Sequence, residues 1–358
     1  MATTSTPTHT CTSPFKTSPD DVLRRVLLGV PLEDHLATAS VCRAFRAVIE
    51  DPRFRALRRV HGFAKRGIVI VGASGGSWSQ RRLEIRTAHK SGIMASIAGS
   101  SHTYPTSHGT TTDGGTRLFV CTERSGPDSE GAPNQILEVD ATSHRWKCVT
   151  TLPLEQHKSV QLCVDHCMEW HGGLLYVAGG LPGHNSLQVF NLATAVWAVL
   201  PSMPQVCLNG YIAASGVIGN QLFIAGCSQN GVLTTLQIYD IATRTWRLGA
   251  PLPPSPIAHL WPHGGIVLDG KLYVIYRVFT LIYDPQFDAW TRESEVPWGS
   301  LVQGHVTHTC AHEGLIVVFL SNRTAFQRAS VGSWSPCAYE SAMGNTMNTS
   351  VCGSVLLG

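Results

Sequence analysis

Charge is scarce in this chain of 358 residues: acidic and basic side chains make up only 14% of it, and the formal net charge is +3. So balanced a surface offers no field to gather nucleic acid or an anionic membrane, and neither is expected as a partner. Apolar residues reach 43%, enough for a sizeable core, yet nowhere do they run unbroken for the ~18 residues of a membrane-crossing helix. Met1 to Ser18 is polar and rich in Thr and Ser, without the apolar centre of a secretory signal. The 11 cysteines are odd in number and irregularly spaced, with no CxxC pair. That pattern excludes a disulfide framework and suits reduced thiols, so a cytoplasmic or nuclear location, or both, is expected.

Catalytic signatures are also missing. No glycine-rich phosphate loop precedes a helix and no nucleophile elbow is read, so the chain is expected to be non-catalytic and to need no cofactor. The histidines invite a metal reading, above all His308, Cys310 and His312, which alternate along a strand-like run, and the Cys163, His166 and Cys167 group. Against it, His108, His166, His263 and His305 recur at a fixed distance before an apolar anchor in successive segments. A recurring position belongs to architecture, and no metal site is expected.

What the chain does have is self-similarity. Val139-Asp140 to Trp146, Phe190-Asn191 to Trp197, Tyr239-Asp240 to Trp246 and Tyr283-Asp284 to Trp290 each place the Trp six residues after the Asp or Asn. Asp140, Asn191, Asp240 and Asp284 suit hairpin turns, where a short carboxylate or amide accepts from nearby backbone N–H groups. Trp146, Trp197, Trp246, Trp290 and Trp334 supply large apolar surfaces for packing between sheets. Before each turn stand apolar runs such as Leu174–Ala178, Leu222–Ala225 and Leu272–Ile275. The period of roughly 45 to 50 residues indicates a propeller or solenoid of four-stranded units. Residues 101–112 and 125–134 are expected to be long surface loops.

Six modules are counted from Gly67 onward, the first lacking its opening strand. Cys352–Gly358 imitates Gly264–Gly270, the strand that precedes Lys271–Tyr276, and is expected to complete the first module and close the ring. With the double glycines Gly75-Gly76 and Gly179-Gly180, the pattern resembles the kelch repeat. The resemblance implies a mainly β fold, a six-bladed kelch-type β-propeller over residues 61–358.

A different segment precedes the repeats. Ser18-Pro19-Asp20-Asp21 is a helix start, with a hydroxyl cap, Pro in the first turn and carboxylates where the helix dipole favours them. Val22, Leu23, Val26, Leu27 and Val30 form one apolar stripe up to Pro31; a second helix is expected through Leu36, Val41, Phe45 and Ile49 to Asp51-Pro52. Arg53, Arg55, Arg58, Arg59, Lys65 and Arg66 read as a solvated face of a linking helix. Residues 18–60 are expected to form a small all-α domain and residues 1–17 to be disordered.

In order and spacing, Pro19 to Leu36, Val41-Cys42-Arg43-Ala44-Phe45-Arg46 and Asp51-Pro52 resemble an F-box, with Ser18 and Phe45 where that family commonly has Leu and Trp. The resemblance implies that Pro19, Leu23, Leu27, Val30, Leu36, Val41, Cys42 and Phe45 face the Skp-type adaptor of a cullin-RING (SCF-type) ubiquitin ligase. It implies a substrate-recognition subunit whose propeller loops hold a target protein for ubiquitination and degradation. The alternative is a kelch scaffold or cytoskeletal binding module in which the helical segment merely caps the propeller.

Overall fold

The structure, a computed structural model, describes residues 19–31, 34–63, 65–74, 82–89, 92–101, 103–113, 115–124, 135–140, 145–153, 166–179, 185–205, 212–227, 233–251, 253, 262–276, 278–293, 296, 306–320, 324–337 and 347–357. The chain divides into two compact units between Lys65 and Arg66. Residues 1–17 and the expected loop at 125–134 lie outside the described residues.

The first unit is helical: α1 (Pro19–Leu28), α2 (His35–Val41), α3 (Arg43–Glu50) and α4 (Pro52–Val60). The single helix expected from Leu36 to Ile49 is in fact two. At Cys42 the backbone is extended (φ −156°, ψ 165°), and its Sγ accepts from Phe45 N at 3.4 Å, so the residue ends one helix and caps the next. Asp51 does the same for α4, its carboxylate accepting from Arg53 N at 2.8 Å, with Pro52 in the first turn where no N–H is needed. Leu27, Leu28, Val48 and Phe54 form the core, with Leu23, Val30, Phe45, Ile49 and Leu57 packed around it. Burying four such side chains contributes on the order of 6–12 kcal/mol before chain entropy is charged against it.

The basic cluster is not uniformly solvated. Arg53 and Arg59 are exposed, but Arg58 is 2% exposed. Its guanidinium donates to the carbonyls of Leu28 (2.9 Å), Val30 (2.9 Å) and Phe63 (3.0 Å). It therefore caps the C-terminal end of α1, where carbonyls lack partners within the helix.

The second unit is all β. Its strands are β1 (Lys65–Ser74), β2 (Arg82–His89), β3 (Gly92–Ser101), β4 (Thr103–Thr112), β5 (Arg117–Arg124), β6 (Gln135–Asp140), β7 (Arg145–Thr151), β8 (His166–His171), β9 (Leu174–Gly179), β10 (Leu187–Asn191), β11 (Val196–Leu200) and β12 (Ile212–Ile218). They continue as β13 (Gln221–Cys227), β14 (Leu233–Asp240), β15 (Thr245–Leu248), β16 (Pro262–Leu268), β17 (Lys271–Tyr276), β18 (Thr280–Asp284), β19 (Ala289–Glu293), β20 (Val306–His312), β21 (Leu315–Leu320), β22 (Ala325–Ala329), β23 (Ser335–Pro336) and β24 (Met347–Leu357). Five four-stranded sheets, β4–β7, β8–β11, β12–β15, β16–β19 and β20–β23, each come from one continuous stretch, so the contiguous blades number five where six were expected. The remaining strands form a sheet in the order β24-β1-β2-β3, which joins the two ends of the repeat region. Strands β24, β4, β8, β12, β16 and β20 pack side by side in that cyclic order and back to β24, forming the inner wall of a propeller.

Two local expectations are corrected. Residues 101–112 are largely strand: β4 pairs with β5 in a register broken between Pro105 and Thr110. Inner strands of neighbouring sheets pack closely against one another. Gly265 on β16 shows the limit, since a Cβ there would lie 2.0 Å from Ala214 Cβ and 2.9 Å from Tyr273 O. The last Trp hairpin is also reduced, because Trp334 precedes a strand of only two residues, β23.

Candidate functional site

Strand register explains the Asp-to-Trp spacing. Val139, Phe190, Tyr239 and Tyr283 stand opposite Trp146, Trp197, Trp246 and Trp290. The last three pairs stack tilted at 5.1, 5.0 and 5.1 Å between ring centroids. Turn oxygens close the hairpins: Asn191 accepts from Ala193 N (2.9 Å) and Thr194 N (3.1 Å), Asp240 from Thr243 N (2.8 Å) and Asp284 from Gln286 N (3.0 Å). The Thr243 N–H holds the Asp240 carboxyl below its ordinary range, and Lys271, 2.9 Å away, does so for Asp284.

The tryptophans also bond across blades, a role that the spacing alone does not reveal. Trp197 Nε1 donates to Thr150 Oγ1 (3.0 Å), Trp246 Nε1 to Pro201 O (2.7 Å) and Trp290 Nε1 to Ala250 O (3.1 Å), the first within the last strand of the preceding blade and the other two just beyond it. Arg328 stacks over Trp334 at 5.4 Å. These residues hold the propeller together and leave function to its surfaces.

The histidine clusters lie within strands. His308, Cys310 and His312 are buried on β20, and His166 and Cys167 are buried on β8; Cys163 and His305 lie outside the described residues. Among the described residues, no three His, Cys, Asp or Glu side chains converge as metal ligands would. Gly72-Ala73-Ser74-Gly75-Gly76 has the Gly-x-Ser-x-Gly spacing of a hydrolase elbow. Ser74 ends β1 and pairs with Arg82 of β2, and Gly75 and Gly76 lie outside the described residues.

Large apolar side chains are exposed in both units: Val199, Phe287 and Val331 stand on the β unit, and Val22, Val26 and Val41 on the helical one. Its stripe is really two stripes, because residues 22 and 26 share one face of α1 and residues 23 and 27 the face next to it, about 100° round the helix. Leu23 and Leu27 turn inward, and Leu27, at 2% exposure, is a core residue, which corrects its assignment to a partner-facing set. Val30 and Phe45 are half-buried against the same core, and Val41 and Cys42 are exposed. For Pro19 and Leu36 only the backbone is described. Among the described side chains between Val22 and Phe45, Val22 (50%), Val26 (64%) and Val41 (70%) are the large apolar ones most open to solvent. Val22 and Val26 belong to the stripe but are not among the expected contact residues; both pairs have i, i+4 spacing, and only their burial separates them. Arg24 spans Asp21 (3.3 Å) and Asp51 (3.0 Å) beside this surface. The Arg53 N–H, with help from Arg24, lowers the Asp51 carboxyl pKa.

Residues 154–165, 206–211, 254–261, 297–305 and 338–346 lie outside the described residues.

Comparison with known proteins agrees with both halves. Residues 19–57 match the F-box domain model. Kelch-like protein 36 of Bos taurus is 26% identical over 165 residues, 42% of this chain and 25% of the relative. An F-box/kelch-repeat protein of Arabidopsis thaliana is 24% identical over 175 residues, 43% of this chain and 44% of the relative. A kelch repeat-containing protein of the same plant is 26% identical over 118 residues, 32% of this chain and 28% of the relative. The matched stretches thus span between a quarter and under half of these relatives' lengths.

Proposed function

From a chain built as an N-terminal F-box followed by kelch repeats, we propose that this protein is the substrate-recognition subunit of a cullin-RING ubiquitin ligase of the SCF type. The F-box docks on a Skp-type adaptor, and through it on the cullin. The propeller, read as a closed ring of six blades, holds the target protein by its connecting loops. The protein performs no covalent step and uses no cofactor. Its contribution is proximity: tethering target and conjugating machinery raises the effective concentration of target lysines, to the millimolar range for short flexible links. Its place of action is the cytoplasm, the nucleus or both.

One observation carries this reading. A helical unit whose core is already closed by Leu27, Leu28, Val48 and Phe54 still leaves Val26 and Val41 open to water. Exposed apolar groups beside a satisfied core mark a surface meant to be covered. Arg25, Arg43 and Arg46 of the same helices are exposed as well, and could supply the polar edge that an interface needs.

The test is affinity capture from cells with the proteasome inhibited. Wild-type chain should recover a Skp-type adaptor and a cullin, and Val26→Asp with Val41→Asp should lose both while the helical circular dichroism is kept. Recovery of neither by the wild type would leave the scaffold reading in its place.

A further inference from the structure

Among the described residues the outer strand of each sheet is paired on one side only. Its other edge turns alternate N–H and C=O groups outward, a template on which another chain can pair. Four of the five contiguous sheets guard that edge. β7 carries Arg145 and Lys147, β15 carries Arg247, β19 carries Arg292 and Glu293, and β23 is two residues long and ends on Pro336. The fifth does not: β11 reads Val196-Trp197-Ala198-Val199-Leu200, with neither charge nor proline. β3, outermost in the sheet that joins the two ends, is also uncharged, but its side chains lie outside the described ones. Val196 is 59% exposed and Val199 78%, on opposite faces of β11 by strand alternation. The strand is held from both sides. Trp197 Nε1 donates to Thr150 Oγ1 of the preceding sheet at 3.0 Å, and Trp246 Nε1 of the next sheet donates to Pro201 O at 2.7 Å. An edge fixed in this way loses little freedom when something binds to it.

The neighbouring sheet adds an apolar and a cationic contact beside this edge. Leu200 and Trp246 pack in one cluster, and Leu248, on the same face of β15 as Trp246, is half exposed. Arg244, in the hairpin before β15, is exposed. Burial raises the pKa of the Tyr176 and Tyr239 phenols, and the Arg244 charge lies close enough to both to oppose it. Because Tyr176 belongs to β9, the guanidinium stands at the seam between the two sheets. Lys147 and Arg247 have carboxylates at 3.4 and 4.0 Å, from Glu138 and Asp288. Asp240, in the Arg244 hairpin, turns its carboxylate to Thr243 N at 2.8 Å. Arg244 has no carboxylate within 4.0 Å among the described residues.

We propose that the free edge of β11 takes an extended segment of a partner protein as an added strand, one with β-branched or other apolar side chains and a carboxylate at the end that reaches Arg244. A second copy of this chain is a poorer occupant. Five strand residues span only about 17 Å, too short an edge to bury the ~1,200 Å² of a stable dimer, and β11 has no carboxylate to offer Arg244. Main-chain pairing along one short strand is enough to hold a peptide, with side chains on its two faces setting the choice. In a ligase receptor, as proposed above, the segment would belong to the target; the binding itself does not depend on that reading.

The test is a positional-scanning library of acetylated hexapeptides probed with the purified full chain. Val, Ile or Thr should be selected at successive positions, with Asp or Glu at one end. Arg244→Glu should switch that end to Lys or Arg. Val199→Lys gives β11 the kind of charge that the other edges carry; it should weaken the selected peptide at least about 10-fold in fluorescence anisotropy, with an unchanged melting temperature. Arg292→Glu, on an edge already guarded, should bind as the wild type does. No selected peptide, or a selection indifferent to Arg244→Glu or to Val199→Lys, would overturn the proposal. So would a dimer in sedimentation that Val199→Lys dissolves, since the edge would then belong to a second copy.

Discussion

Replacing Arg58 with Met should melt the helical unit, although a sequence reader would place this residue in a basic surface cluster. The substitution keeps the apolar stem and deletes the guanidinium. Three carbonyls, of Leu28, Val30 and Phe63, then lose donors at 2.9, 2.9 and 3.0 Å. A hydrogen bond to a charged group contributes about 1.5–3 kcal/mol net, so three would give roughly 4–9 kcal/mol if additive. Desolvating the guanidinium offsets part of this, but each buried carbonyl left without a donor costs about 1–3 kcal/mol, so a net loss of about 3–5 kcal/mol is expected. At ~0.05–0.15 kcal/mol per residue, a helical unit of some 45 residues has about 2–7 kcal/mol to lose. The two quantities are comparable, so the unit should be largely unfolded at 37 °C. Loss of the 222 nm dichroism and of amide protection over 19–63 is the expected result. Arg59→Ala, one residue on and exposed, should change stability by less than about 0.5 kcal/mol. If Arg58→Met keeps its helical signal and protection, the capping role assigned to the guanidinium is wrong.

Other expectations concern the β unit. Gly265→Ala would force a methyl to within 2.0 Å of Ala214 Cβ and against the Tyr273 carbonyl; backbone must shift, and a loss of at least about 3 kcal/mol should appear in denaturant titrations. Trp246→Phe removes the bond to Pro201 O at 2.7 Å. Pro201 is exposed, and water can replace the lost donor, so the cost should be about 1–2 kcal/mol, a drop of a few degrees in Tm. Asp288 accepts from Tyr283 Oη and, at 2.9 Å, from Ala250 N. Burial, reinforced by Asp288, pushes the Tyr283 phenol up to about 12. Asp288→Ala should bring that phenol's ultraviolet titration to lower pH, and an unchanged titration would show that burial alone sets it.

Much of this fold was legible because its signals are periodic. The Asp-to-Trp interval reports a hairpin whose two ends stand opposite each other, as Tyr239 and Trp246 do. The imitation of Gly264–Gly270 by Cys352–Gly358 located the closing strand, which pairs next to β1 as β24. What could not be read depended on distant contacts. Thr, Ser and Gly are common in turns and make residues 101–112 read as a loop, whereas most of them form β4, whose Thr111 accepts from Trp170 N of β8. Arg58 looked like its solvated neighbours because one-dimensional spacing says nothing of the carbonyls waiting 28 to 30 residues earlier. The candidate docking surface was half visible. An apolar stripe showed in the sequence, but dividing it into an inward set, Leu23 and Leu27, and an outward set, Val22 and Val26, required knowing where α3 and α4 lie.

Titration calorimetry of the purified full chain with a purified Skp-type adaptor tests the central claim most directly. The account expects saturable binding by the wild type, and at least a 100-fold weakening in the chain carrying Val26→Asp and Val41→Asp, the factor for losing about 3 kcal/mol of buried apolar contact. The variant should retain its helical dichroism. A wild type with no measurable heat of binding at tens of micromolar, or a folded double variant that binds as tightly, would contradict it.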